Sequence, residues 1–501
     1  MNGCQNLLGD FEFPLEDIEA AVRQRRLLSM EIEFSRQCNF RCPYCYVDDI
    51  PSISDEMSPE QIRDVLVQAK ALGARRIIVL GGEPMVYPRI FEMLDFIGEL
   101  GMEVELFTNG TRMDRDAARF LFERNVKVVL KMNTRDPELQ DILSGFKGAH
   151  DIIQSALHNL GEVGYPGEGK ILAISSIICR HNADELVDLW RWLRDRNIEP
   201  YFEMLTPQGR ADRNENLQID SEQAREIFER IAEVDRTEYG RQWDPQPPLV
   251  GNRCLRHQFS VLVNACGDVL PCVGVTIPVG NVRKRKLKEI IEDSEVMQDL
   301  RGYRRTITGP CARCDKAETC YGCRGAAYQL TGDYKASDPL CWRNQGWNVR
   351  EAALPAAADR FLPQKDPMRV VDRLLSVGER SAVLDLTVPS NSPFVSADGI
   401  LDESAFMEIM AQGMAALEGF RAPPTNGNGI KGFLLGAREL EITGVARAGD
   451  QLEVSVFKEA KLGDFGIVRG TVSRNGETLA QGEIKVWHEG AADRTGAEQW
   501  K

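Results

Sequence analysis

Three cysteines lie within one stretch of eight residues, at Cys38, Cys42 and Cys45 in the sequence "CNFRCPYC". Thiolates are soft ligands that favour iron–sulfur clusters, zinc or cuprous copper. Structural zinc takes four protein ligands in a closed tetrahedron, so three ligands in one loop leave a coordination position open. On a four-iron cluster, three cysteines would bind three irons and leave the fourth free for a substrate or cofactor. The spacing therefore predicts an open metal centre.

A second short motif, "GGEP", follows the next predicted strand at residues 81–84. Its glycines permit another backbone to approach closely. Its carboxylate, Glu83, suits an ammonium group. On its own the motif is also typical of a turn at the end of a strand, so its meaning depends on its place beside the three cysteines.

Eight more cysteines lie between residues 254 and 341, and such clustering also indicates metal. They are Cys254, Cys266, Cys272, Cys311, Cys314, Cys320, Cys323 and Cys341. Eight thiolates are enough for two complete four-ligand clusters. A zinc ribbon at residues 311–323 with other cysteines around it is the alternative, because CxxC…CxxC spacing also suits zinc. We interpret the remaining Cys4 and Cys179 as ordinary residues.

The chain has 501 residues and a formal net charge of −15, which predicts several domains and disfavours nucleic-acid binding. The N-terminal segment lacks the basic start and apolar centre of a signal peptide. No stretch approaches the roughly 20 apolar residues of a membrane helix. We therefore expect a cytoplasmic protein with no membrane partner, in which clustered cysteines indicate metal or catalysis in preference to disulfides.

The elements that must position these cysteines alternate between strand and helix. Between residue 28 and about residue 206, six strand-like segments are interleaved with amphipathic helical segments. Such alternation predicts a parallel α/β sheet curved into a full or partial barrel. Functional sites in these folds lie at the carboxyl ends of the strands. The loop of Cys38 follows the first strand directly, which is that position.

Composition and pattern divide the chain further. We expect an N-terminal helical extension, an α/β core, a cysteine-rich segment, a linker, an α+β domain and a tail, at residues 1–28, 29–245, 250–350, 351–360, 361–490 and 491–501 respectively.

"CNFRCPYC" after a first strand and "GGEP" after a second resemble the radical S-adenosylmethionine (SAM) superfamily. In that family the three cysteines bind a [4Fe-4S] cluster whose unique iron chelates the amino and carboxylate groups of SAM. Reduction of the cluster cleaves SAM to methionine and a 5′-deoxyadenosyl radical, which removes a hydrogen atom from a substrate. The resemblance implies that Cys38, Cys42 and Cys45 bind this cluster. It also implies that the enzyme folds as a partial (β/α)6 barrel. It also implies an electron donor such as flavodoxin or ferredoxin.

The same resemblance implies contacts to SAM from the residues around the cysteine loop. Tyr44 would lie near the adenine. The backbone of the two glycines and the Glu83 carboxylate would meet the amino group of SAM. The residues of this cofactor-binding turn are Gly81, Gly82, Glu83 and Pro84.

Later contacts depart from the family pattern. Many relatives carry Ser-x-Asp after the fourth strand, where this chain has Lys131 and Asn133, and an Arg further on, where it has Ser144. The resemblance then implies that SAM is held differently, or by Ser175 or Arg180 on the next strand. Either residue of that strand could equally be an ordinary packed or solvated position.

The segments "GDVLPC", "VGNV", "CARCDKAETCYGC" and "DPLCW" resemble a SPASM domain, which carries auxiliary [4Fe-4S] clusters in many radical SAM enzymes. By this resemblance one cluster takes Cys254, Cys266, Cys272 and Cys323. The other cluster takes Cys311, Cys314, Cys320 and Cys341. Cys266 varies most in position, and without it the first auxiliary cluster would have an open iron able to bind substrate. The clusters would accept the electron left after radical formation or relay electrons to the first cluster.

Residues 361–490 predict one long helix wrapped by an antiparallel sheet, which is a hotdog fold, and their motifs resemble β-hydroxyacyl-carrier-protein dehydratases. The catalytic acid of that family corresponds to Glu408, and its histidine corresponds to Gln364 in "LPQK". Glutamine cannot exchange a proton near neutral pH. We therefore expect a domain that has lost dehydration and serves either to form a homodimer or to grip an acyl or pantetheine-tethered substrate.

Three functions remain open on the sequence. The first is a radical SAM/SPASM enzyme that modifies a peptide or protein side chain. The second is the same radical chemistry on a carrier-bound acyl or small-molecule substrate that the hotdog domain recruits. The third is a binding protein stapled by zinc, with no catalytic activity.

Overall fold

The computed structural model describes residues 13–47, 52–344, 354–362, 364–378, 380–421, 432–462 and 465–488. The chain divides into two compact units, Met1–Trp347 and Asn348–Lys501. Among the helices in the described part, none combines the length and the apolar character that crossing a membrane requires. Residues 1–12 of the predicted N-terminal extension (1–28) and the whole predicted tail (491–501) lie outside the described residues.

A nine-stranded sheet forms the centre of the first unit, in the order β6-β5-β4-β3-β2-β1-β7-β8-β9. Strands β1 to β6 pair in parallel with their neighbours, which confirms the predicted α/β alternation. Their bounds are Ser29–Glu33, Arg76–Leu80, Glu103–Thr108, Lys127–Lys131, Leu172–Ile178 and Glu199–Met204. Every residue of β5 is buried, as is typical of a parallel strand covered by helices on both faces.

Several helices of this unit begin at side chains that accept hydrogen bonds from free backbone N–H groups. Ser58 and Gln61 form a capping box at the start of α2, and Asp114 accepts from the N–H of Ala117 at the start of α4. Helices α1 to α8 span Leu15–Gln24, Pro59–Ala71, Ile90–Glu99, Arg115–Glu123, Pro137–Ser144, Ala149–Val163, Leu186–Arg194 and Ser221–Glu238.

The cysteine-rich segment continues the same sheet. Strand β7 (Leu262–Val263) pairs in parallel with β1, and β8 (Asp268–Leu270) and β9 (Gly280–Asn281) follow in antiparallel order. Short helices complete the segment: α9 at Leu287–Asp293, α10 at Glu295–Arg301, α11 at Tyr303–Thr306 and α12 at Arg324–Thr331. The hairpin of β7 and β8 therefore lies directly beside the strand that leads into the Cys38 loop.

The second unit is an antiparallel sheet packed on one long helix, as predicted for a hotdog fold. The sheet has the order β10-β11-β12-β14-β15-β16-β13, and helix α13 is Ser404–Arg421. Strands β10 to β16 span Ala356–Ala357, Arg373–Val377, Ser381–Thr387, Gly432–Ile442, Gln451–Leu462, Phe465–Arg474 and Glu477–His488. Phe406 and Ile409 of the helix and Leu384 and Val454 of the sheet share one apolar core.

Candidate functional site

The carboxyl ends of the parallel strands border one cavity of about 270 Å³ in the first unit. Residues after β1, β2, β3 and β4 all contribute to its wall, as do residues at the ends of β5 and β6. The three cysteines of the first loop line it, together with Tyr44 and Glu83. This is the edge at which sites form in α/β barrels.

The cysteine loop is held in place by hydrogen bonds to its backbone. Arg41 N donates to Ser144 O at 3.0 Å, and Arg210 N donates to Cys45 O at 2.9 Å. The Arg210 guanidinium also donates from Nη1 to Cys42 O at 3.1 Å. Because these partners come from α5 and from the segment after β6, the far side of the barrel fixes the loop that follows its first strand.

Burial decides the protonation of the three thiols. It raises the pKa of Cys38 to about 11 and that of Cys42 to about 12, and it also raises the pKa of Cys45. These thiols are therefore protonated near neutral pH when no metal is bound. Thiolates are the ligand form, so metal binding here would release protons.

The turn at Gly81–Glu83 approaches the cysteine loop backbone to backbone. Gly82 N donates to Ser35 O at 3.0 Å and Glu83 N donates to Gln37 O at 2.8 Å. A Cβ placed on Gly82 would lie 2.1 Å from Gln37 O, and one on Gly81 would lie 2.6 Å from Ser35 O. Both glycines are thus required by the close approach of two chains.

Glu83 is buried and its carboxylate is anchored by three donors. It accepts from Met85 N at 2.9 Å, Thr108 Oγ1 at 2.7 Å and Asn109 N at 2.6 Å. Burial raises the pKa of Glu83 to about 7 in spite of these hydrogen bonds. Sequence reasoning missed Thr108 and Asn109, although two polar residues at the end of β3 were a usable signal.

Two side chains of opposite charge, Lys131 and Glu203, lie in the cavity wall, and the first is close to Tyr44. Lys131 Nζ donates to Ser175 Oγ at 3.3 Å and lies 5.1 Å from the centre of the Tyr44 ring. Burial lowers the pKa of Lys131, and the neighbouring Glu203 carboxylate opposes that shift. Burial likewise raises the pKa of Glu203. Sequence reasoning found Lys131 and Ser175 but missed Glu203, which lies near the end of β6.

Three other residues predicted to contact SAM do not line the cavity as the structure describes it. Asn133 is fully buried and donates from Nδ2 to Tyr44 Oη at 2.6 Å, so it supports the tyrosine from behind. Arg180 is exposed and donates to Gln218 O at 3.2 Å. Pro84 is buried at the start of a short 3₁₀ turn.

Cys254, Cys272 and Cys323 come together in the cysteine-rich segment. Tyr321 interacts electrostatically with both Cys254 and Cys272, and its Oη lies 3.9 Å from Cys254 Sγ. Burial raises the pKa of Cys272 to about 11 and the neighbouring Cys323 raises it further, which places these two thiols close together. Gly274 and Gly325 bring the two loops into contact, since a Cβ on Gly274 would lie 2.6 Å from Gly325 Cα.

Cys266 has a different set of neighbours from those three thiols. It sits in the turn between β7 and β8, and its ionisable neighbours are Arg36, Asp268, Arg283 and Glu56. The structure therefore places it beside the residues that follow β1. Three of the four thiols assigned by resemblance to the first auxiliary cluster are brought together, and Cys266 is not among them.

The second predicted set is assembled completely. Cys320 interacts with Cys311 and Cys314, and Cys341 interacts with Cys311 and Cys320. Asn344 Nδ2 donates to Cys311 Sγ at 3.3 Å. Residues from two segments of the chain, 311–320 and 341–344, thus converge here.

Backbone N–H groups point at the sulfur atoms in all three sets. They run from Phe40 to Cys38 at 3.4 Å, from Val275 to Cys272 at 3.3 Å, from Gly322 to Cys320 at 3.3 Å and from Ala326 to Cys323 at 3.3 Å. Within the described ranges, no three His, Cys, Asp or Glu side chains are close enough to bind one metal ion. Thiols spread around a shared space, with donors to sulfur, suit iron–sulfur clusters.

Comparison with known proteins agrees with this geometry. Residues 32–204 match the model of the radical SAM superfamily, and residues 254–315 match that of the SPASM iron–sulfur cluster-binding domain. The chain carries a radical SAM domain. Residues 356–495 match the model of the ApeP dehydratase, so an ApeP-like domain follows the SPASM domain.

Two relatives and one solved structure cover the radical SAM and SPASM domains. The AdoMet-dependent heme synthase of Methanosarcina barkeri is 24% identical over 348 residues, which are 64% of this chain and 97% of that protein. The PqqA peptide cyclase of Streptomyces rochei is 29% identical over 354 residues, 67% of this chain and 94% of that protein. SuiB of Streptococcus suis bound to the precursor peptide SuiA has a TM-score of 0.51 at 18% identity, covering 65% of this chain and 79% of that chain, which shows a shared fold.

The ApeP-like domain holds Glu408 and Gln364 in different surroundings. Glu408 Oε1 accepts from Gln412 Nε2 at 2.8 Å, and Gln412 also bonds to Met368 O at 2.8 Å and Val370 N at 2.9 Å. The Oε1 atom of Gln364 is buried and accepts no hydrogen bond from the residues that the structure describes. Gln412 therefore links Glu408, the predicted acid, to residues 368–370, which follow Gln364.

The close approach at Gly82 generates a prediction about the radical SAM domain. We expect Gly82→Ala to weaken SAM binding by about tenfold or more, because overpacking against backbone costs about 1–3 kcal/mol and separates the turn from the cysteine loop. Calorimetric titration of the reconstituted protein with SAM measures the change.

Gly98→Ala is the matched control, since a Cβ on Gly98 in α3 would meet nothing within 4 Å. It should bind SAM as the wild type does. Equal SAM affinity in Gly82→Ala and wild type would contradict the role given to this contact.

Proposed function

We propose that this chain is a radical SAM/SPASM enzyme that cleaves SAM reductively and modifies a side chain of a peptide or protein. The observation that carries the proposal is the meeting of three thiols and the Gly81–Glu83 turn at one cavity. Cys38, Cys42 and Cys45 would hold three irons of a [4Fe-4S] cluster. With SAM bound, the reduced cluster would supply the one electron that splits SAM into methionine and a 5′-deoxyadenosyl radical able to remove a hydrogen atom.

The chain's own residues would orient SAM and balance charge around it. Glycine backbone at positions 81 and 82 leaves room for the amino and carboxylate groups, and Glu83 presents a carboxylate beside them. Lys131 in the cavity wall interacts electrostatically with Cys42 and Cys45, so it would offset part of the charge of their thiolates. Tyr44, held by Asn133, closes the cavity on the adenine side.

The cavity wall favours a peptide over an apolar acyl chain. Glu31 and Arg256 bond to each other, and with Glu83, Lys131 and Glu203 they give the cavity five acidic or basic side chains. An acyl chain packed against them would remove water from these charged groups without replacing its hydrogen bonds, which is costly. Peptide groups can donate to and accept from them. The similarity to a PqqA peptide cyclase points the same way.

A carrier-bound acyl or small-molecule substrate is the second candidate. The ApeP-like domain favours it, because that domain resembles enzymes of acyl thioesters. Because Gln364 stands in place of a proton-exchanging group, we propose that the domain does not catalyse dehydration. We propose instead that it recruits the substrate or forms a homodimer. A flavodoxin or ferredoxin would supply the electron in either case. A cytoplasmic location would give the protein access to that donor.

The substrate proposal is tested with the anaerobically reconstituted full chain, SAM and reductant. Candidate peptides encoded beside the gene and acyl-carrier proteins are incubated separately, and mass spectrometry follows both the candidates and deoxyadenosine. We expect a peptide whose mass changes and whose presence increases deoxyadenosine formation. Reactions without reductant are the control.

Modification of the carrier-bound acyl group alone would overturn the peptide proposal in favour of the second candidate. A colourless, zinc-containing protein that leaves SAM intact would overturn both and favour the binding protein.

We infer from the position of Cys266 that the first auxiliary cluster is held by Cys254, Cys272 and Cys323, with one iron open. Three four-iron clusters give about twelve irons per chain. We expect Cys272→Ser to lose up to about four of these irons, and Cys266→Ser, at a cysteine of the same domain, to lose none. Iron analysis and low-temperature electron paramagnetic resonance (EPR) measure both variants. Loss of the same cluster in Cys266→Ser would contradict the three-cysteine assignment.

A further inference from the structure

Arg324 is a buried cation with two donor atoms left over. Its side chain is about 1% exposed, and Nη1 donates to Tyr334 O at 3.0 Å and to Ala336 O. Its Nε and Nη2 atoms are buried and have no hydrogen-bond partner among the described residues. Buried charged donors without acceptors are costly, so such a group calls for an acceptor that is part of the complete protein.

The guanidinium lies between the two auxiliary sets of thiols. Arg324 follows Cys323 directly at the start of α12, and its charge opposes the rise in the pKa of Cys323 that burial causes. A Cβ placed on Gly322 would lie 2.9 Å from Arg324 Nη2 and 3.4 Å from Cys311 Sγ. One cation therefore borders Cys323 of the first set and Cys311 of the second.

The carboxylate nearest to this arginine is already engaged elsewhere. Asp338 accepts from Cys323 N at 2.7 Å and from Leu340 N at 2.9 Å. Burial raises the pKa of Asp338, and Arg324 opposes that shift only through its charge. The oxygen atoms of Asp338 thus serve the backbone of the cysteine loop, so the acceptor for Nε and Nη2 has to come from elsewhere, and the neighbouring cysteine sulfur atoms are one source.

We propose that Arg324 donates hydrogen bonds from Nε and Nη2 to sulfur atoms of the auxiliary clusters and raises their reduction potentials. Hydrogen bonds to sulfur and a nearby positive charge stabilise the reduced form, which carries one more negative charge. The inference rests on the proposed assignment of these cysteines to two clusters. Arg324 would then set how readily the auxiliary clusters accept an electron.

The test is a redox titration followed by EPR on the full chain with Cys38, Cys42 and Cys45 replaced by serine, so that only auxiliary clusters contribute. Arg324→Gln removes the positive charge and the planar set of N–H donors of the guanidinium. We expect the midpoint potentials of the auxiliary clusters to fall. Arg324→Lys keeps the charge but loses the planar set of donors, and we expect a smaller fall.

Arg301→Gln is the matched control. Arg301 also has buried Nε and Nη2 atoms without partners in the described part, but its charged neighbours are Arg25 and Glu292. Its replacement should leave the auxiliary potentials unchanged.

Unchanged potentials in Arg324→Gln would overturn the proposal. If that variant does not assemble its clusters, Arg324→Lys decides, and a wild-type potential in it overturns the proposal. Absence of auxiliary EPR signals before Arg324 is changed would instead overturn the cluster assignment itself, so the two failures are distinct.

Discussion

The backbone contact between residues 35–37 and residues 81–83 is the constraint on which the proposed active site depends. Gly82 N and Glu83 N donate to Ser35 O and Gln37 O, and these bonds join the segments that follow two neighbouring parallel strands. A side chain at Gly82 would occupy the position of Gln37 O. Because nothing larger than hydrogen fits there, the cysteine loop and the Glu83 turn face one cavity with no side chain between them.

The three cysteine sets of the first unit share features that suit metal binding. Burial raises the pKa of Cys38, Cys272 and Cys320, one thiol in each set, and a backbone N–H group already points at each of these sulfur atoms. Metal binding would convert these thiols to thiolates and release protons. The partly buried Lys131 beside the first set and the buried Arg324 beside the other two are cations placed where that negative charge would form.

Local patterns in the sequence predicted much of this fold, because parallel strands, amphipathic helices and clustered cysteines are local signals. The β7–β9 extension was missed, since strands of two or three residues have no periodicity to detect. The contact from Asn133 to Tyr44 joins residues 89 positions apart, so sequence could not show that Asn133 supports the tyrosine. Glu203 and Arg324 were missed because their importance arises only from burial and from neighbours on distant segments.

The most direct test of the central claim is SAM cleavage by the chain in which Cys38, Cys42 and Cys45 are replaced by serine. The variant is prepared anaerobically with its auxiliary clusters intact and is incubated with SAM and excess reductant. If the open iron of the first loop binds SAM, deoxyadenosine forms with the wild type and not with the variant. Formation of deoxyadenosine at the wild-type rate by the variant would contradict the account.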